Sequence, residues 1–92
     1  MSRTKTFIQR MAVRASRKDT LRKIQRNQCC WCGRPMQNTK PFKWDYETIE
    51  HLTPLSKGGT DDMGNLALAH RKCNNDRGST EREPLLRRVA TQ

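Results

Sequence analysis

Phe7, Ile8, Met11, Ala12 and Ala15 recur every three to four residues, the spacing of one helix face, and no Gly or Pro interrupts the chain before Gly33. Leu21 and Ile24 carry the pattern on. Ser16 followed by Asp19 has the form of a capping box with Asp in place of Glu, so one long helix or two short ones fit equally. Past Gln28 the rhythm is lost, and Gly33, Pro35, Pro41, Pro54, Gly58, Gly59, Gly64 and Gly78 cut the chain into short pieces. Residues 46–52 alternate weakly and residues 66–69 are a short apolar run after Gly64, so both are expected as strands. A turn-rich loop at 56–62 lies between them. Residues 70–78 have helical spacing with Gly78 as C-terminal cap, and Pro84 is placed to start a short helix through Leu85, Leu86 and Val89. There is no internal repeat or low-complexity tract.

Composition limits what these elements can build. The 92 residues are 33% hydrophobic and 30% charged, so one small domain is the most they can form. A core this small usually needs a metal, disulfides or a partner to be stable. No apolar stretch is long enough for a membrane helix or a signal-peptide core, so a cytoplasmic protein that needs no membrane is expected. In that reducing compartment Cys29, Cys30, Cys32 and Cys73 are expected as metal ligands before disulfides. The formal charge of +10 points to nucleic acid and is concentrated at one end. Nine bases face one acid up to Gln28, and ten face eight from Cys29 onward. A basic helix can be only a solvated face, or it can grip backbone phosphates.

Cys29 and Cys32 have the spacing that brings two sulfurs to one ion, with Gly33 supplying the small residue after the knuckle. His70 and Cys73 repeat that spacing some forty residues on. Together they make a Cys3His set for a structural zinc ion. Cys30 is then a half-buried bystander, with a Cys30/Cys32 pair as the alternative. Structural zinc contributes about 10 to 16 kcal/mol of apparent binding energy in small peptides, comparable to the whole stability of a domain.

Between the zinc pairs stand Glu50-His51, Pro54 three residues after the His, Lys57-Gly58-Gly59 and Asn65-Leu66, with Asn74 directly after Cys73. This order, with its spacing His51-x13-Asn65-x8-Asn74, resembles the HNH endonucleases from Cys29 to about Gly78. The resemblance implies a small α+β fold with a ββα-metal (His-Me finger) core on the zinc site, preceded by the basic helix or helices. It implies that His51 is the general base that takes a proton from water, and that Glu50 and Asn74 hold a catalytic divalent ion, Mg²⁺ or Mn²⁺. It also implies that Asn65 holds the loop that orients His51. The sequence departs from the common family pattern in having Glu at 50, Asn at 74 and His70 among the zinc ligands.

The expected organisation is therefore a basic helical DNA-binding arm at 1–28, a zinc-bound nuclease core at 29–80 and a helical tail at 81–92. The expected activity is metal-dependent hydrolysis of DNA, by family analogy leaving a 5′-phosphate and 3′-hydroxyl. Double-stranded DNA is the expected partner of a monomer, and small size suggests a phage gene in a bacterial host. Arg14, Arg17, Lys18, Arg22, Lys57 and Arg77 are the expected nucleic-acid contacts. The rival is a non-catalytic zinc-containing nucleic-acid-binding protein; against it, Glu50 beside His51 repels phosphate unless a cation lies between. A protein-protein adaptor fits Leu85, Leu86 and Val89 but not the charge.

Overall fold

The computed structural model describes residues 6–78 and 84–85. Helix α1 spans Phe7–Ile24, strand β1 Glu47–His51, strand β2 Leu66–His70 and helix α2 Arg71–Arg77. Short 3-10 turns at Leu55–Lys57 and Met63–Asn65 interrupt the loop between the strands. The architecture is small α+β, with β1, β2 and α2 forming the ββα unit. No described helix is long and apolar enough to cross a membrane.

α1 is one continuous helix, so of the two possibilities the single long one is correct. Its capping box lies at the start, where Thr6 Oγ1 accepts from the Gln9 amide at 3.1 Å and Gln9 Oε1 accepts from the Thr6 amide at 2.9 Å. Asp19 makes no cap for Ser16; it pairs instead with Arg22 and Lys23 one turn on, at 3.1 and 3.3 Å. The helix ends without Gly because Arg26 and Asn27 both take left-handed φ angles, 54° and 61°, and the Asn27 amide closes on the Arg22 carbonyl at 2.9 Å. The Asn27 side chain then donates to the Met36 carbonyl at 2.9 Å, which stabilises the unusual backbone.

The apolar face read from the sequence is not what docks α1. Phe7, Ile8 and Met11 are 74%, 77% and 56% exposed, and Leu21 is the buried residue of the helix. Polar anchors replace the missing apolar contact. Gln25 donates to the Leu68 carbonyl at 2.9 Å and accepts from the Leu68 amide at 2.7 Å, so one amide side chain pairs with the backbone of β2 as an extra strand would. Arg22 makes two bonds to the buried carboxylate of Glu47. Lys18 donates to the Glu47 carbonyl at 3.1 Å and lies over the Tyr46 ring.

β1 and β2 pair antiparallel, with Glu47 opposite His70 at one end and His51 opposite Leu66 at the other. All five residues of β2 are buried, and the core gathers Leu21, Cys29, Cys30, Trp31, Met36, Leu52 and residues 66–69 around it. β1 instead buries two glutamates, Glu47 and Glu50, which is why its alternation is weak in the sequence. α2 stops at Gly78, whose φ of 59° is left-handed and whose amide closes on the Asn74 carbonyl at 3.2 Å. Of the expected tail, Pro84 is buried and Leu85 lies against Gly33; Leu86 and Val89 fall outside the described residues.

Candidate active site and metal centres

The knuckle that presents Cys29 and Cys32 is a tight turn. The Cys29 amide donates to the Arg34 carbonyl and the Gly33 amide to the Cys29 carbonyl, both at 2.9 Å, and Gly33 has a φ of 79°. Only a residue without Cβ adopts that angle freely, and a Cβ there would stand 3.0 Å from the Leu85 side chain. His70 ends β2 and Cys73 lies in the first turn of α2, so the hairpin and helix bring the second pair onto the first.

The donor atoms of Cys29, Cys32, His70 and Cys73 all lie within 4.8 Å of one another. His70 Nε2 faces the Pro35 carbonyl at 2.8 Å, which fixes the proton there and leaves Nδ1 for the cluster, 3.2 Å from Cys32 Sγ. Cys29 Sγ accepts from the Trp31 and His70 amides at 3.4 and 3.3 Å. Burial, with the neighbouring thiols of Cys29 and Cys32, pushes Cys73 up to about 12, a cost that a bound cation would offset. This donor set fits a tetrahedral zinc ion. Cys30 is fully buried where half-burial was expected; its amide donates to the Leu68 carbonyl, and burial holds its thiol well above the usual range, so it is an inert thiol.

At the other end of the hairpin, His51, Glu50, Asn65 and Asn74 come together. Glu50 is buried, with Oε2 accepting from the Trp31 indole at 2.9 Å and Oε1 paired with Arg77 at 3.1 Å. One corner of the Asn74 amide stands 3.1 Å from both Glu50 oxygens and the other 3.1 Å from Thr48 Oγ1. With nitrogen toward Glu50 the amide donates to both oxygens. With oxygen toward Glu50, acceptors face acceptors, an arrangement that a cation between them stabilises. Thr48 suits the second state, because its hydroxyl already donates to the Ala69 carbonyl at 3.0 Å and can accept from the Asn74 nitrogen. Two oxygens on one edge of an Mg²⁺ octahedron lie about 3 Å apart, so the spacing of Glu50 and Asn74 fits such an ion.

Asn65 clamps the loop. Its Oδ1 accepts from the Thr53 amide at 2.8 Å, and its Nδ2 donates to the Thr53 and Thr60 carbonyls at 3.1 and 2.7 Å. Gly59 is held so close that a Cβ would lie 1.8 Å from the Thr53 carbonyl oxygen. His51 Nε2 then meets Asp61 Oδ1 at 2.7 Å. That bond holds the Asp61 carboxyl below its ordinary range, so it is ionised near neutral pH. His51 and Asp61 line an open cleft of about 770 Å³ whose other wall includes Arg10, Arg14, Arg17 and Arg71.

A family model described as HNH endonuclease matches residues 29–80, more than half of the sequence. The chain belongs to the HNH endonuclease family. No curated protein gives a significant match. The matched segment of this HNH protein contains both clusters just described, and α1 adds Arg10, Arg14 and Arg17 to the cleft from outside it.

Three of the expected DNA contacts have other partners in the structure. Arg77 is buried, donating to the His51 and Leu52 carbonyls at 2.8 and 2.7 Å, and its guanidinium lies over the Trp31 ring. It holds the end of β1 and balances Glu50, so the repulsion expected between Glu50 and phosphate is already offset. Arg22 is committed to Glu47, and Lys18, although it borders the cleft, is drawn to Tyr46 and the Glu47 carbonyl. Arg14 and Arg17 line the cleft, and Lys57 is exposed in its 3-10 turn. Arg10, Arg71 and Asp61 also line the cleft and are not among the contacts expected from the sequence. The i, i+4, i+7 spacing of Arg10, Arg14 and Arg17 is the signal that could have found the first, since it places all three on one helix face. Asp61 had no such signal.

Proposed function

We propose that the protein is a metal-dependent endonuclease that hydrolyses phosphodiester bonds of double-stranded DNA. The observations that support this reading are the Glu50 and Asn74 pair, with Glu50 one residue before His51 on β1, and the arginine-lined cleft that the His51 side chain itself borders. His51 accepts the proton of an attacking water, for which a neutral imidazole is suited near pH 7. Glu50 and Asn74 hold one divalent ion, Mg²⁺ or Mn²⁺, and Asn65 keeps the loop closed so that the imidazole stays at the cleft. When bound there, the ion stabilises charge on the phosphate and the leaving oxygen. Arg10, Arg14, Arg17 and Arg71 neutralise backbone phosphates, and Cys29, Cys32, His70 and Cys73 hold a structural zinc ion.

Incubation of the purified protein with supercoiled plasmid, with and without added Mg²⁺ or Mn²⁺, tests the reading. Ion-dependent conversion to nicked or linear DNA, lost in His51→Ala, is expected. Absence of ion-dependent cleavage, with DNA binding intact, would instead identify a nucleic-acid-binding protein without catalysis.

A further inference from the structure

The imidazole of His51 is the part of the candidate site least restrained by its own strand. Its backbone carbonyl is fixed by Arg77 and its main chain by pairing with Leu66, but the ring is partly exposed at the cleft. The polar contact that fixes the ring is Asp61 Oδ1, 2.7 Å from Nε2. An ionised carboxylate can only accept, so this contact places the imidazole proton on Nε2 and leaves Nδ1 with its lone pair free.

Asp61 is not an accidental neighbour on a loose loop. Asn65 closes residues 53–65 by three hydrogen bonds, its own amide donates to the Asp62 carbonyl at 2.7 Å, and Gly59 fills the crowded inner turn. Thr60 Oγ1 donates to the carboxylate of Asp62 at 3.1 Å, which leaves Asp61 as the acid of this turn that points to His51. Electrostatically the position is unfavourable for a DNA-binding cleft. Asp61 is an exposed negative charge among Arg10, Arg14 and Arg17, where it repels the phosphates those residues attract.

We propose that Asp61 is the positioning residue of the base: it fixes the ring and the Nε2-protonated tautomer of His51, and the Asn65 clamp acts on His51 through it. The consequence for catalysis rests on the nuclease reading above; the tautomer itself does not.

The test uses the full chain with zinc bound, labelled with ¹⁵N-histidine. The protein has two histidines, and His70, fixed by Pro35, serves as an internal control of an intact zinc cluster. In wild type the nitrogen shifts of neutral His51 should report protonation at Nε2. In Asp61→Ala they should move toward a mixture of both tautomers while those of His70 stay unchanged. The single-turnover cleavage rate of Asp61→Ala should fall about tenfold to a hundredfold. Its affinity for duplex DNA without divalent ion should be unchanged or tighter, which a misfolded loop would not produce. Asp61→Asn, which keeps an acceptor oxygen, should recover part of the rate. Unchanged His51 shifts in Asp61→Ala, or a rate within about twofold of wild type, would overturn the proposal. If wild type cleaves no DNA while Asp61→Ala still shifts the tautomer, the nuclease reading fails and the positioning role stands.

Discussion

The two ends of the β1/β2 hairpin carry polar clusters of opposite character. At the Glu47/His70 end, three cysteines and His70 close on one point, with the remaining ring nitrogen and one sulfur already satisfied by backbone groups. At the His51/Leu66 end, the imidazole is partly exposed at the cleft, and Glu50 lies behind it against Asn74, Arg77 and Trp31. A closed donor set suits an ion that only holds structure, whereas a side chain that meets substrate must reach the surface, as His51 does. The same contrast divides α1. Lys18, Arg22 and Gln25 direct their hydrogen bonds to β1 and β2, whereas Arg10, Arg14 and Arg17 face the cleft. Equal charge in the sequence therefore holds the fold together in one half of the helix and lines the cleft in the other.

The largest effect should come from breaking the closed end. Cys73→Ser removes a ligand from a cluster whose ion contributes on the order of the whole folding free energy, so the variant should unfold or aggregate, and a chelator should do the same to wild type. Metal analysis should find one tightly held zinc per chain. Circular dichroism of a folded, zinc-free protein would refute the assignment.

At the open end, His51→Ala should lower the single-turnover cleavage rate by about 10²- to 10⁴-fold while zinc content and melting temperature stay near wild type. Comparable loss of stability would mean that His51 belongs with the structural cluster.

Arg77→Ala sharpens the contrast, because Arg77 lies near the open end yet is buried with Glu50. Its removal leaves a buried carboxylate without its partner and should cost about 3 to 5 kcal/mol in denaturant unfolding. Glu50→Gln breaks the same pair, so it mixes stability with ion binding. Asn74→Ala is the cleaner probe and should raise the divalent-ion concentration needed for half-maximal cleavage without loss of zinc.

The smallest effect is electrostatic. Changing Arg10, Arg14 and Arg17 to Gln should flatten the dependence of log DNA affinity on log salt by about 0.9 for each phosphate left without its arginine, up to about 2.7. Arg22→Gln should instead destabilise the fold, because Glu47 is buried behind it. A salt slope unchanged by the triple substitution would move the phosphate grip to Lys57 and Arg71.

The ligand pairs Cys29/Cys32 and His70/Cys73, the order of Glu50, His51, Asn65 and Asn74, the two strands and the helix after them were all legible in the sequence, because each depends on residue type at fixed local spacing. The apolar rhythm of Phe7, Ile8 and Met11 predicted helix correctly, but those side chains are exposed, since periodicity reports conformation and says nothing of whether a partner surface exists. Only tertiary structure decided which charges are neutralised within the fold. Arg22 and Arg77 look like any surface base until Glu47 and Glu50, more than twenty residues away, are buried against them. Asp61 likewise resembles an ordinary turn residue until Asn65 closes the loop and brings it to His51. Long-range pairing of charged groups follows from the path of the backbone through the hairpin and the Cys29, Cys32, His70 and Cys73 cluster, a path that local residue spacing does not reveal.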